Sequence, residues 1–123
     1  MINQPLWVRV VAVNGFLVIA LGAFAAQALD DRLTDAQSSI FETAVFYHCM
    51  HTLALLGLLN VTLHPRRQLW VACLFTFGIV VFCGSLYAFA ITDVRQLVWV
   101  TPLGGSAFIL GWLLLFVSTS MET

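Results

Sequence analysis

The chain has 123 residues, of which 61% are hydrophobic and 9% are charged, with a formal net charge of −1 at pH 7 and no lysine. Because a soluble domain covers itself with about 25% charged residues, this composition excludes a soluble globular fold and predicts the lipid bilayer as the main partner. The length allows one domain, and the lack of a basic cluster argues against a nucleic-acid partner.

Four apolar stretches are each long enough to cross a bilayer, which takes about 20 helical residues. They cover residues 6–29, 44–63, 69–91 and 98–118. Their apolar runs are continuous rather than alternating, unlike the strands of a lipid-facing barrel. The sequence therefore predicts an all-α integral membrane protein, with a single domain over residues 1–123 and four transmembrane helices in an antiparallel bundle.

The first stretch contains two patterns that resemble a signal-peptide cleavage site, Ala23-Phe24-Ala25 and Ala26-Gln27-Ala28. The segment before them is long enough to span the membrane, and its early positive charge is Arg9 alone. A retained span is therefore favoured over a cleaved leader.

The second span is predicted to begin with an interfacial extension. Thr34 and Gln37 match the capping-box pattern, which would start a helix at Asp35. A helix from there to Leu63 would be about 43 Å long, against a hydrocarbon core of about 30 Å. Its first two turns are therefore expected in the headgroup region, with Glu42 at the interface.

Short connections follow the second and third spans. Pro65, within residues 64–68, is predicted to end the second span because proline has no amide donor. Residues 92–96 separate the last two spans. Pro102 is tolerated in the first turn of a helix, which favours a helix start near Thr101.

Small residues recur at helical spacing in three of the four spans. Between helices in lipid, such residues allow the close backbone approach on which association depends. The predicted packing residues are Gly15, Gly22 and Ala26, then Gly78 and Ser85, and finally Gly104, Gly105 and Gly111.

The three cysteines, Cys49, Cys73 and Cys83, all fall within apolar stretches. They have neither CxxC spacing nor flanking ligands, so they predict no disulfide framework and no zinc site. All three are expected to be small buried hydrophobic residues.

Orientation follows from the arginines, because positively charged loops are retained in the cytoplasm. Arg9, Arg66 and Arg67 share one side of the predicted bundle, and Arg32 and Arg95 share the other. This distribution predicts a multi-pass protein of the bacterial inner membrane with both termini in the cytoplasm.

Four motifs occur in a fixed order along the chain. They are Gly22-Ala23-Phe24-Ala25-Ala26-Gln27-Ala28-Leu29; Glu42-Thr43-Ala44 with Tyr47 and His51-Thr52-Leu53-Ala54-Leu55; Phe82-Cys83-Gly84-Ser85-Leu86-Tyr87; and Thr101-Pro102-Leu103-Gly104-Gly105 with Gly111-Trp112. In order and spacing they resemble the domain of unknown function 423 family, which includes the small YgdD-like inner-membrane proteins and relatives in eukaryotes. The resemblance covers nearly the whole chain and implies a four-span inner-membrane protein, but no activity.

Three positions depart from the pattern of that family. Ala25, Gln27 and Cys83 stand where Gly, His and Ser are usual. If the family uses that histidine as a titrating group or ligand, Gln27 cannot act in the same way.

The second span also carries polar residues at helical spacing. At 100° per residue, Thr43, Tyr47 and His51 share a face that should turn towards the bundle interior. His48 lies about 100° away from Tyr47 around the helix and is expected at a helix contact or at the rim. Hydrogen bonds between the helices are predicted within a candidate intramembrane polar cluster of Asn14, Gln27, Thr43, Tyr47, His51, Ser85, Tyr87 and Thr101.

Three functional interpretations compete with this structural one. Glu42 with His51 would suit a proton or ion path. His48-x-x-His51 with Cys49 would suit a metal or haem, although no third strong ligand is evident. Glu42, Tyr47 and His51 would suit acid–base chemistry on a lipid-like substrate, although no nucleophile elbow, phosphate loop or carboxylate pair accompanies them.

The favoured hypothesis is a non-enzymatic accessory or structural component that associates with another membrane protein or with itself. It has no catalytic residue, no cofactor and no metal. The alternative hypothesis is a small channel, carrier or ligand-binding bundle that uses the inward polar face around Tyr47 and His51.

Overall fold

The computed structural model describes residues 3–29 and 31–122, and every regular element in that part of the chain is helical. The elements are α1 (Gln4–Phe24), continued by a π-helical turn (Ala25–Leu29); α2 (Asp35–Leu58); α3 (Pro65–Gly78), a π-helical segment (Ile79–Cys83) and α4 (Gly84–Thr92); a 3₁₀ turn (Arg95–Trp99); and α5 (Thr101–Glu122). Because α3, the π-helical segment and α4 follow one another without a break, they form one rod, here called the α3–α4 rod. Four helical rods thus make up the described chain.

Three of these rods are long and apolar enough to cross a membrane: Gln4–Gln27, Pro65–Thr92 and Arg95–Thr119. Among the described helices, α2 does not meet the same standard. It has 24 residues, but its first two turns are rich in polar residues, it contains two histidines, and it ends at Leu58. The prediction of helices long and apolar enough to cross a membrane is therefore confirmed for three rods.

Both ends of α2 are set by side-chain hydrogen bonds. At the start, the Thr34 hydroxyl accepts a bond from the Gln37 amide at 3.1 Å, and the Gln37 side chain accepts one from the Thr34 amide at 2.9 Å. This capping box confirms the predicted start at Asp35.

The end of α2 lies at Leu58, so the expectation that the helix runs to Leu63 is wrong. The Gln68 side-chain amide donates to the Leu58 carbonyl at 3.0 Å, and the Gln4 side-chain amide donates to the Leu59 carbonyl at 3.3 Å. Carbonyls at a helix end need partners outside the helix. Two glutamines from neighbouring rods supply them here.

Pro65 begins a helix rather than ending one, which corrects the sequence-based assignment. It is the first residue of α3, and the His64 side chain caps that helix by accepting a bond from the Arg66 amide at 3.2 Å. A proline suits this position because the first amides of a helix have no internal partner. The third rod therefore starts before Leu69, whereas the start of α5 at Thr101 agrees with the prediction.

Neighbouring rods run antiparallel, as their contacts demonstrate. Along α1 and α2, Gln4 reaches Leu59 while Gly22 lies 3.6 Å from Val45, measured from an added Cβ. Between the α3–α4 rod and α5, an added Cβ on each glycine would meet a phenylalanine of the other rod: Gly78 with Phe108, Gly104 with Phe82, and Gly111 with Phe75. The small residues of these two rods are therefore packing residues.

The buried core lies between α2, the α3–α4 rod and α5, and it is built from Leu55, Leu58, Val71, Ala72, Phe75 and Phe108. In contrast, α1 buries only Trp7 and Val18. Cys83 is buried, but Cys49 and Cys73 are exposed on the outer surface, so the prediction of burial is wrong for these two.

Candidate functional site

A chain of hydrogen bonds joins three helices at the centre of the fold. His48 of α2 is 3% exposed, and its ring nitrogens lie 2.9 Å from the Tyr87 hydroxyl of α4 and 2.9 Å from Asn14 Oδ1 of α1. The Asn14 side chain in turn donates to the Val10 carbonyl at 2.8 Å. Of the two positions expected for His48, a helix contact or the rim, the structure has the helix contact, since His48 links α1 to α4.

The partners of His48 determine which ring nitrogen carries the proton. Because a carbonyl can only accept, the Asn14 NH₂ group must face Val10, which leaves Oδ1 facing His48 Nε2. Nε2 therefore donates. In the neutral ring Nδ1 is then an acceptor for the Tyr87 hydroxyl.

His51 has a second, separate set of partners. Its Nδ1 lies 2.9 Å from the Tyr47 carbonyl, and the Trp112 indole donates to its Nε2 at 3.0 Å. The ring lies flat on Phe108, with centroids 3.6 Å apart and planes inclined by 10°. Because a carbonyl only accepts and an indole only donates, this ring is neutral with its proton on Nδ1.

The two histidines are therefore expected to be opposite tautomers. In ¹⁵N NMR spectra of the labelled protein, His48 should show its proton on Nε2 and His51 on Nδ1. The substitution Trp112→Phe should change the spectrum of His51 and leave that of His48 unchanged. Identical tautomers in the two rings would contradict the assigned hydrogen bonds.

A third polar contact joins α4 to the start of α5. The Ser85 and Thr101 hydroxyls lie 2.6 Å apart, and Ser85 also donates to the Phe82 carbonyl at 2.9 Å. Thr101 reaches the Leu97 carbonyl at 3.3 Å. This contact holds the helix start beside the π-helical segment.

The structure brings together five of the eight predicted cluster residues in side-chain bonds between helices: Asn14, His51, Ser85, Tyr87 and Thr101. Gln27 is exposed, and so is Thr43, whose hydroxyl donates to the Ser39 carbonyl of its own helix. Within the described residues neither bonds to another helix. The third exception, Tyr47, is considered below.

Sequence reasoning missed two members of these networks, His48 and Trp112. The burial of His48 could have been predicted from a pattern along α2. Residues spaced alternately three and four positions apart form one face of a helix, and this face is buried when the helix packs in a bundle. The positions of α2 that follow this spacing and are buried are Phe41, Ala44, His48, His51, Leu55 and Leu58. No such pattern indicates Trp112. The residue is 42% exposed, and its indole nitrogen reaches inward to His51.

Tyr47 is half-buried and lines a groove of about 380 Å³ between α2 and α5. Its ring packs edge-on against Phe82 at 5.1 Å and lies parallel to Phe108 at 6.5 Å between centroids. Among the residues the structure describes, its hydroxyl has no hydrogen-bond partner. Tyr47 therefore differs from His48 and His51, whose ring nitrogens are all paired.

Glu42 is exposed, as expected for an interfacial residue, and lines a smaller cleft of about 170 Å³ against Gly22 and Ala26 of the first rod. It bonds to neither histidine in the described structure. No three histidine, cysteine or acidic side chains converge anywhere in residues 3–29 and 31–122. Both ring nitrogens of His48 and of His51 are already paired with protein groups.

Comparisons with known proteins place this arrangement in a wider context. The model of a family described as "Protein of unknown function (DUF423)" matches residues 21–105. A "UPF0382 membrane protein" of Staphylococcus epidermidis is 44% identical over 110 residues, covering 88% of this chain and 89% of the relative. The "UPF0382 inner membrane protein YgdD" of Escherichia coli K12 is 38% identical over 109 residues, covering 86% and 82%. No solved structure matches.

Proposed function

The chain belongs to the DUF423 family of proteins of unknown function, and from that premise we propose that it is a non-enzymatic, four-span accessory or structural component of the inner membrane. Its relatives carry the names of membrane and inner-membrane proteins. The proposal rests on how the polar interior is used.

The register of α2 supports a fourth span. Asn14 near the middle of α1 bonds to His48, while Gln4 near its start bonds to the end of α2. Packing along the full length of an apolar span supports a membrane-crossing path for α2 as well. The buried polar side chains of α2, those of His48, His51 and Thr52, are tolerated there because other helices cover them.

The positions of the arginines support cytoplasmic termini. Gln4 contacts the C-terminal end of α2, and Arg9 lies five residues after it in α1. Arg66 and Arg67 lie at the same end of the bundle, in the first turn of α3. Arg32 and Arg95 lie at the opposite end. With four spans both termini share one side, and the positive-inside rule favours the cytoplasm.

The observation that carries the non-enzymatic role is that the central polar side chains are bonded to one another across helices. Asn14, His48 and Tyr87 form one network, and His51 and Trp112 form another. A general base must reach a proton on a substrate, whereas the ring nitrogens here already have protein partners. Such networks fix the register of helices in lipid.

The same pairing weakens the channel and carrier hypothesis. His51 lines the same groove as Tyr47, but it is 1% exposed, lies beneath Phe108, and both of its ring nitrogens have protein partners. The ligand-binding form of that hypothesis retains one specific support, the unpaired hydroxyl of Tyr47.

An accessory role predicts that one outer face contacts another protein. Replacing outward phenylalanines one at a time with a photo-crosslinking phenylalanine analogue should give a discrete adduct from at least one face and none from another. Suitable sites, one on each of the four rods, are Phe16, Phe46, Phe77 and Phe116, which are 72%, 63%, 51% and 72% exposed. Unirradiated native membranes are the control.

Monomer alone from all four positions would contradict the accessory role.

The same cells test the orientation, because a tag fused to the C-terminus should resist protease added to intact spheroplasts. Digestion of the tag without lysis would contradict cytoplasmic termini.

A further inference from the structure

The hydroxyl of Tyr47 lies near the middle of the membrane-crossing helices. Its ring contacts Phe108, which is close to the centre of the candidate span Arg95–Thr119. The next residue, His48, bonds to Asn14, close to the centre of Gln4–Gln27. The hydrocarbon core is about 30 Å thick, so this hydroxyl is about 15 Å from either interface.

A phenolic hydroxyl at this depth needs an acceptor, because an unpaired polar group in an apolar medium costs free energy. The described residues supply none to Tyr47. Headgroups and ester carbonyls of phospholipids lie at the interface, and their acyl chains have no acceptor atom. A lipid-soluble molecule that carries an acceptor atom to the midplane supplies what the described residues do not.

The groove beside Tyr47 has aromatic walls and an opening towards lipid. Phe82, Phe108 and Trp112 line it, and Gly105 leaves space where any other residue would place a side chain. Met50 and Trp112, at its rim, are 37% and 42% exposed. Flat rings stack favourably on aromatic faces, so the groove suits a planar, conjugated ligand.

We propose that this groove binds the ring of a lipid-soluble quinone, with the Tyr47 hydroxyl donating a hydrogen bond to a ring carbonyl. A quinone combines the three properties that the groove requires: solubility in the bilayer, a flat ring and carbonyl acceptors. The groove, with a volume of about 380 Å³, accommodates one quinone ring and the start of its tail. The inference concerns binding alone and does not depend on the accessory role.

The test uses the full chain in phospholipid nanodiscs, titrated with decylubiquinone. Trp112 lines the groove, so occupancy should appear as saturable quenching of tryptophan fluorescence above the linear quenching caused by quinone dissolved in lipid. Tyr47→Phe keeps the ring and removes only the donor, and it should weaken the saturable component about three- to tenfold.

A second pair of variants separates the groove from general effects. Gly105→Leu should fill the groove and abolish the saturable component. Gly15→Leu is the matched control, because a Cβ added at Gly15 meets no described atom within 4 Å. This variant should bind decylubiquinone as the parent does. Only linear quenching in the parent, or equal saturable quenching in Gly105→Leu, would overturn the proposal.

A second copy of the chain is the competing occupant, and the same material distinguishes it. The groove is a protein interface if the parent is a dimer, the Gly105→Leu variant is a monomer, and neither protein shows saturable quenching. That outcome would make the proposal wrong. Unchanged affinity in Tyr47→Phe would overturn the assigned hydrogen bond.

Discussion

Replacing Gly104 by alanine is expected to lower the free energy of unfolding by about 3 kcal/mol, at the upper end of the usual cost of overpacking. The new Cβ would meet the backbone nitrogen of Phe82 and lie 2.7 Å from its Cα. Backbone atoms cannot rotate away as a side chain can, so α5 must separate from the α3–α4 rod. Thermal unfolding in detergent, followed by circular dichroism, measures the loss.

Gly84→Ala is the matched control for this substitution. No described atom lies within 4 Å of a Cβ added at Gly84, and alanine is favoured over glycine within a helix by about 0.5–1 kcal/mol. This variant should therefore melt at or slightly above the temperature of the parent. If the two variants melted together, the close approach at Gly104 would not be a determinant of stability.

Replacing His48 by leucine is expected to destabilise the protein by about 2 kcal/mol, because a buried polar group that loses its partner pays its full cost of desolvation. Leucine matches the apolar surroundings but leaves Asn14 Oδ1 and the Tyr87 hydroxyl without their partner at the centre of the fold. Unfolding in detergent gives the change in stability.

A double-mutant cycle identifies the source of that loss. Tyr87→Phe removes one of the two bonds and should cost about 0.6 kcal/mol, the average for hydrogen bonds between membrane helices. Asn14→Leu combined with His48→Leu should cost less than the two single changes added together, because no orphaned amide remains. Simple additivity would mean that the two side chains are not coupled.

Local patterns in the sequence were sufficient for several features of the fold. The capping box at Thr34 and Gln37 needs only four consecutive positions, so the start of α2 could be predicted. The start of α5 near Thr101 could also be predicted locally, from the single residue Pro102. Continuous apolar runs predicted the long helices because each run satisfies its own backbone hydrogen bonds.

Features that depend on distant residues could not be read in this way. The end of α2 at Leu58 requires Gln4 and Gln68, which come from different rods. The site was misjudged for another reason: the inward face of α2 was chosen from its polar residues, Thr43 and Tyr47, instead of from the spacing of its apolar ones. That choice predicts Thr43 inside and His48 at a helix contact or rim, whereas Thr43 is exposed and His48 is buried.

The pair of glutamines at the end of α2 has a consequence for biosynthesis. Gln4 is made before α2, but Gln68 emerges from the ribosome only after it. The last turn of α2 thus acquires its second cap only when the following helix has entered the membrane and docked. A nascent chain that ends before Gln68 therefore holds only one of the two glutamine side chains that bond the end of α2.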